Sequence, residues 1–205
     1  MEKWRRNRPY RRHGTAQAYV SGIAVSGTDV YTAGQNNQPD NGNTAGISVA
    51  AYWKNQTLMP LDSALVFSYG SFAKGIAISG NDVYVTGYIA FSAELWKNGV
   101  LQPLANNSGA PLGSFAFAVA SNGSDVYVGG AYGNEAAYWK NGAITSLVNG
   151  AFVASSVSGF CFQGNDVYMC GSLNAPTYWK NDTTYTLQNN GESYAVDGIA
   201  VSRHQ

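Results

Sequence analysis

The chain carries two histidines, two cysteines and 12 carboxylates as its stock for acid, base, nucleophile or metal-ligand chemistry. His13 and His204 stand in the two tails, so the body holds no partner for a Ser-His-Asp or Cys-His relay and no imidazole for a zinc site. Cys161 and Cys170 replace small residues of sister repeats and read as structural thiols; a cross-strand disulfide would need a turn centred on Asn165-Asp166. Glu94 and Glu135 are the two carboxylates that break an otherwise uncharged pattern. A pair of carboxyl groups about 5–9 Å apart can cleave glycosidic bonds, so they define an enzymatic alternative. The Asp40–Thr44 stretch has some of the polar character of a calcium loop but lacks its closing glutamate. The expectation is no catalytic set, no metal and no cofactor.

The elements that must position these residues are internal repeats. Gly-x-Asp-Val-Tyr recurs at Gly27, Gly80, Gly123 and Gly164, each with a glycine five residues after its Asp (Gly34, Gly87, Gly130, Gly171). A Trp-Lys-Asn follows at Trp53, Trp96, Trp139 and Trp179, and a leucine eight residues beyond each Trp. The Trp spacings of 43, 43 and 40 match the length of a β-propeller blade. Each unit reads as four strands, A to D. A and B meet at the Gly-x-Asp turn, and C and D meet at Asn98-Gly99 or Asn141-Gly142, sequences suited to a type I′ hairpin. Asn55-Gln56 and Asn181-Asp182 fit that turn less well. Ile76, Ile78, Val83 and Val85 share one face and Ala77, Ser79, Tyr84 and Thr86 the other, so both faces are nearly uncharged, as sheets packed between sheets require. Asp29/Lys54, Asp82/Lys97, Asp125/Lys140 and Asp166/Lys180 fall at adjacent strand ends and are expected to form local ion pairs. The repeated Trp and Tyr are expected to pack between blades.

The Asp-Val-Tyr-Val-x-Gly…Tyr-Trp-Lys-Asn-Gly pattern over residues 18–202 resembles the β-propeller-type repeats of uncharacterised bacterial proteins, many of them exported. The resemblance implies an all-β, propeller-like fold and carries no activity. Composition agrees: charged residues are 12%, about half the usual share, while 24 glycines and 14 tyrosines favour strands. The expected organisation is a basic arm (residues 1–17), units at about 18–70, 71–113, 114–155 and 156–193, and one extra A strand at 194–202.

Residues 1–13 hold six basic residues against one acidic, and the rest of the chain balances this with a net −5. Six cations on an arm give a weak, salt-sensitive grip, so nucleic acid is not the expected partner. No apolar run nears the roughly 18 residues of a membrane span, and no signal-peptide core is present, so the default expectation is a cytoplasmic protein. Function is expected where the units differ, on the face carrying the B–C and D–A connections. Unit 1 has a long polar B–C loop with Asn37, Asp40 and Asn43; Glu94, Tyr132 and Glu135 extend the same candidate ligand site, for a glycan or a protein. The leading expectation is a non-enzymatic binding or scaffold module. The alternatives are a glycosidase using Glu94 and Glu135, or a repeat segment that acts only in assembly. The fifth A strand is one too many for four blades, which predicts a homodimer closing a larger ring of about eight blades.

Overall fold

The computed structural model describes residues 18–38, 47–61, 70–105, 113–148, 154–188 and 195–202. Four antiparallel meanders follow one another. Sheet 1 is β1 (Ala18–Ser26), β2 (Asp29–Gln38), β3 (Ile47–Lys54) and β4 (Thr57–Pro60). Sheet 2 is β5 (Ser71–Ser79), β6 (Asp82–Ile89), β7 (Ser92–Lys97) and β8 (Val100–Gln102). Sheet 3 is β9 (Ser114–Asn122), β10 (Asp125–Tyr132), β11 (Glu135–Lys140) and β12 (Ala143–Ser146). Sheet 4 is β13 (Ser155–Gln163), β14 (Asp166–Leu173), β15 (Pro176–Lys180) and β16 (Thr183–Thr186). Each sheet keeps the order A-B-C-D. Sheets pack face to face in chain order, most closely through their A strands β1, β5, β9 and β13, which gives a propeller-like fan.

The turns obey one rule in all four units. Every C–D hairpin has two left-handed residues, at φ 46° and 73° for Asn55-Gln56, 52° and 86° for Asn98-Gly99, and 47° and 68° for Asn181-Asp182. The two pairs without glycine therefore make the same turn as the others. The asparagine explains why: its Oδ1 accepts the backbone N–H of Val30, Val83, Val126 or Val167 at 2.9 Å, and its own N–H donates to that valine's carbonyl at 2.8–3.0 Å. The asparagine Nδ2 then donates to the neighbouring aspartate Oδ1 at 2.6–2.8 Å. The other aspartate oxygen takes the lysine Nζ at 2.7–2.8 Å, forming all four expected ion pairs. Each lysine also lies 5.3–5.5 Å above the ring of the repeat tyrosine. Asp, Asn, Lys and Tyr thus make one clasp that ties the A–B turn to the C–D turn.

The glycine five residues after each Asp has a steric cause. Every A strand carries a bulge, at Ser21, Lys74, Phe117 and Ser158, where one residue has no partner on strand B. The bulge presses a backbone carbonyl onto strand B. A Cβ on Gly34, Gly87, Gly130 or Gly171 would stand 1.7–1.9 Å from the carbonyl oxygen of Tyr19, Phe72, Phe115 or Ser156. No side chain fits there.

Faces are assigned by alternation. In sheet 1, Tyr31, Ala33, Ala50 and Tyr52 pack on Ala73, Ile76, Val83, Val85 and Trp96 of sheet 2. Sheets 2 and 3 repeat this with Ala93 and Leu95 against Ala116, Val128 and Trp139, and sheets 3 and 4 with Ala136 against Val157, Met169 and Trp179. Trp96, Trp139 and Trp179 are fully buried. A polar lock recurs at each junction: the hydroxyls of Ser71, Ser114 and Ser155 accept the N–H of Ala50, Ala93 and Ala136 of the preceding sheet at 2.7–2.9 Å.

The turn before β14 is centred on Gly164-Asn165, because Gln163 pairs with Asp166. Cys161 therefore faces Tyr168 and Cys170 faces Gly159, and both thiols are free. Burial pushes both thiols up from their ordinary pKa.

Two outcomes follow from these contacts. Exchanging Asp82 and Lys97 keeps an ion pair but takes the carboxylate away from Asn98. The double swap should lower the urea midpoint more than Lys97→Met, and Asn98→Ala should cost about 1–2 kcal/mol. The hydrogen bonds from lysine and asparagine hold all four clasp carboxyls below the usual range. Their contribution is therefore complete above the unfolded carboxyl pKa, about 3.9, and fades as pH falls below it. For the cysteines, titration of the unfolded chain without reductant should find two free thiols, and Cys161→Ala/Cys170→Ala should fold. Fewer than two thiols would contradict the assignment.

Candidate functional site

The predicted ligand residues divide between the elements. Asp40 and Asn43 lie outside the described residues, and Asn37 stands in β2 opposite Ser48. Tyr132 and Glu135 are brought together as direct cross-strand partners on one face at the end of β10–β11. Tyr132 packs into the junction of sheets 2 and 3. Glu94 pairs with Gly87 and shares the face of Trp96, which looks toward sheet 1. Glu135 shares the face of Trp139, which looks toward sheet 2. The two glutamates thus enter two different junctions, with sheet 2 between them, where stacked sheets lie about 10 Å apart. They share no cleft. Burial raises the Glu94 carboxyl above its usual range, opposed in part by a hydrogen bond from Ser92. Among the described residues, no three His, Cys, Asp or Glu side chains gather as a metal site would require. No helix among the described residues is long and apolar enough to cross a membrane.

An exposed apolar surface lies where residue types alone do not mark one. In sheets 2, 3 and 4 the face bearing the repeat tryptophan is covered by the preceding sheet. Among the described residues, no sheet covers the equivalent face of sheet 1. Val20, Ile23 and Val25 of β1 are 63%, 67% and 64% exposed, and Val30 is exposed beside them. Trp53 is half-buried, where its three equivalents are fully buried. An open cavity of about 580 Å³ lies on this face, lined by Ala18, Val20, Val30, Thr32, Trp53 and the Asn55-Gln56 turn. The signal in the sequence is positional: Val30, Thr32 and Trp53 occupy the same repeat sites as Val83, Val85 and Trp96, which are core.

No family model and no curated protein matches the chain. Solved structures do match it. One is the crystal structure of the computationally designed Ika8 protein, which is 16% identical with a TM-score of 0.48. The alignment covers 91% of this chain, and the chain spans 66% of that protein's length.

On the loop face, the described B–C turns are Ala90-Phe91, Gly133-Asn134 and Asn174-Ala175. Two of them are fastened to the next sheet, with Ser114 N–H donating to Phe91 O at 2.8 Å and Ser155 N–H to Asn134 O at 2.9 Å. This face is therefore held by the same sheet-to-sheet contacts as the core.

Glu94 gives the test of this site. A carboxyl whose folded pKa stands above its unfolded one costs the fold stability as pH rises through that window. Glu94→Gln should raise the urea midpoint near pH 7, and the gain should vanish below about pH 4. A loss near neutral pH would mean that the carboxylate is held there by a partner.

Proposed function

We propose that this chain is a non-enzymatic scaffold that binds other molecules, with a protein partner on the bare face of sheet 1 and a glycan or protein ligand on the B–C/D–A loop face. The observation that carries this reading is the acceptor face itself. The chain builds one kind of junction three times and presents a fourth copy of its receiving side, with Val20, Ile23 and Val25 exposed and Trp53 half-buried. Apolar surface of that extent on a charge-poor sheet favours association. The repeated charged side chains support the same reading, because the four Asp–Lys pairs are engaged in clasps rather than aimed into a cleft.

The glycosidase alternative is tested against this reading directly. The protein, Glu94→Gln and Glu135→Gln are incubated with a panel of polysaccharides, and new reducing ends are measured alongside retention on the immobilised polymer. The scaffold reading expects no new reducing ends from any of the three. Release of sugar that both substitutions abolish would replace it with an enzyme.

A further inference from the structure

We infer that the bare face of sheet 1 is covered by sheet 4 of a second copy of this chain, and that segment 195–202 of that copy takes the place of β1. This deepens the scaffold reading by naming the protein partner.

The segment sits on sheet 4 as an A strand of a further sheet would. A Cβ on Gly159 points at Asp197 and Gly198, just as one on Gly22 points at Lys74 and Gly75, and one on Gly75 at Phe117 and Val119. The hydroxyl of the bulge residue Ser158 donates to the carbonyl of Val196, and Val196 N–H donates to Gly171 O at 3.3 Å. No strand pairs with 195–202 among the described residues.

β1 and this segment each hold half of what an A strand needs. Val20, Ile23 and Val25 of β1 look outward into solvent, while β2 lies beside the strand and sheet 2 behind it. Val196, Ile199 and Val201, their equivalents, are half-buried, while Gly198 and Ala200 are exposed with nothing behind them. One strand placed between sheet 4 of one copy and β2 of another supplies all of these contacts.

The residues agree. Segment 195–202 matches 19–26 at six of eight positions, against four for 72–79, two for 156–163 and one for 115–122. It is thus a copy of the A strand that belongs beside β2 in particular. The serine lock points the same way. The site of Ala50, Ala93 and Ala136 is Pro176 in sheet 4, which has no N–H to offer. The serine site is Ala18 in β1 and Tyr194 ahead of the segment, neither of which is a serine. Donor and acceptor are lost together, which is neutral, whereas losing one alone is costly. Among the described residues, no strand of sheet 1 packs extensively on a strand of sheet 4 in the same chain. With β2 of another copy as the acceptor, two reciprocal exchanges would close a ring of eight sheets.

The 205-residue chain should sediment at about 10 µM with twice its 21.8 kDa mass; a single-chain mass overturns the proposal. Strand exchange is read by cross-linking in a Cys161→Ala/Cys170→Ala background. Ile23 directly opposes Thr32, so Ile199 of the second copy would do the same. Ile199→Cys with Thr32→Cys should oxidise to a species of two chains on a non-reducing gel. A bridge within one chain would mean self-closure, and no bridge would mean that β1 keeps its place; either overturns the exchange. Efficient bridging of Ile23→Cys with Thr32→Cys inside one chain would overturn it as well. None of these results bears on the reducing-end assay, so exchange and scaffold can fail separately.

Discussion

A sheet that is apolar on both faces has to be covered on both, and a chain made of such sheets inherits that demand at each end of its stack. Alternation along a strand sends odd and even residues to opposite faces, so one charged face would satisfy water and end the stack. This chain does not use that solution. Trp96, Trp139 and Trp179 are sealed by the sheet before them, while Trp53, built into the same position, is covered by no sheet among the described residues and is only half-buried. Burying apolar area gains roughly 25 cal/mol per Å², so a face carrying Val20, Ile23, Val25 and Val30 in solvent holds a substantial unspent driving force for association.

Charge is excluded from the faces and gathered at the turns. Each unit places its Asp and Lys at adjacent strand ends, where both remain solvated, and the asparagine between them joins the pair to the backbone of two hairpins. Exposed ion pairs contribute little by themselves. Their effect here is geometric: they hold the A–B and C–D turns of one sheet together, and with them the register of three strands. The bulge and its glycine fix register at the opposite end of the same strands.

Much of the fold is legible from sequence because the period supplies four independent copies of each signal. The clasps, the two alternating faces and the buried tryptophans all follow from residues that recur at one spacing. The bulge does not, because its residue is serine at 21 and 158 but Lys74 and Phe117 in the other units; only the glycine it presses on recurs in all four. The common turn at Asn55-Gln56 and Asn181-Asp182 was also hidden, since the asparagine side chain compensates for the missing glycine. The candidate site is the least legible part. Glu94 and Glu135 are singled out along the chain because each replaces an uncharged residue of its sister repeats, which does not say which junction each enters. Units are separate sheets, however, and their equivalent faces point the same way rather than toward each other.

Within a repeat protein, the informative residues are those where one copy departs from the others in step with a second site. Pro176 and the serine site of the A strand that would meet it, Tyr194 with the exchange and Ala18 without it, are such a pair. Loss of the serine alone would leave an N–H of the preceding sheet without its hydroxyl, and Pro176 alone would leave a hydroxyl without its donor; either mismatch would be buried in a junction. Their joint occurrence at the two ends of the stack is what a junction between those ends would require. The same reasoning separates Glu94 from Glu135, which stand at different repeat positions and enter different junctions. Burial raises the Glu94 carboxyl in spite of its hydrogen bond with Ser92, which marks a cost to the fold and not a second group positioned to use the carboxyl.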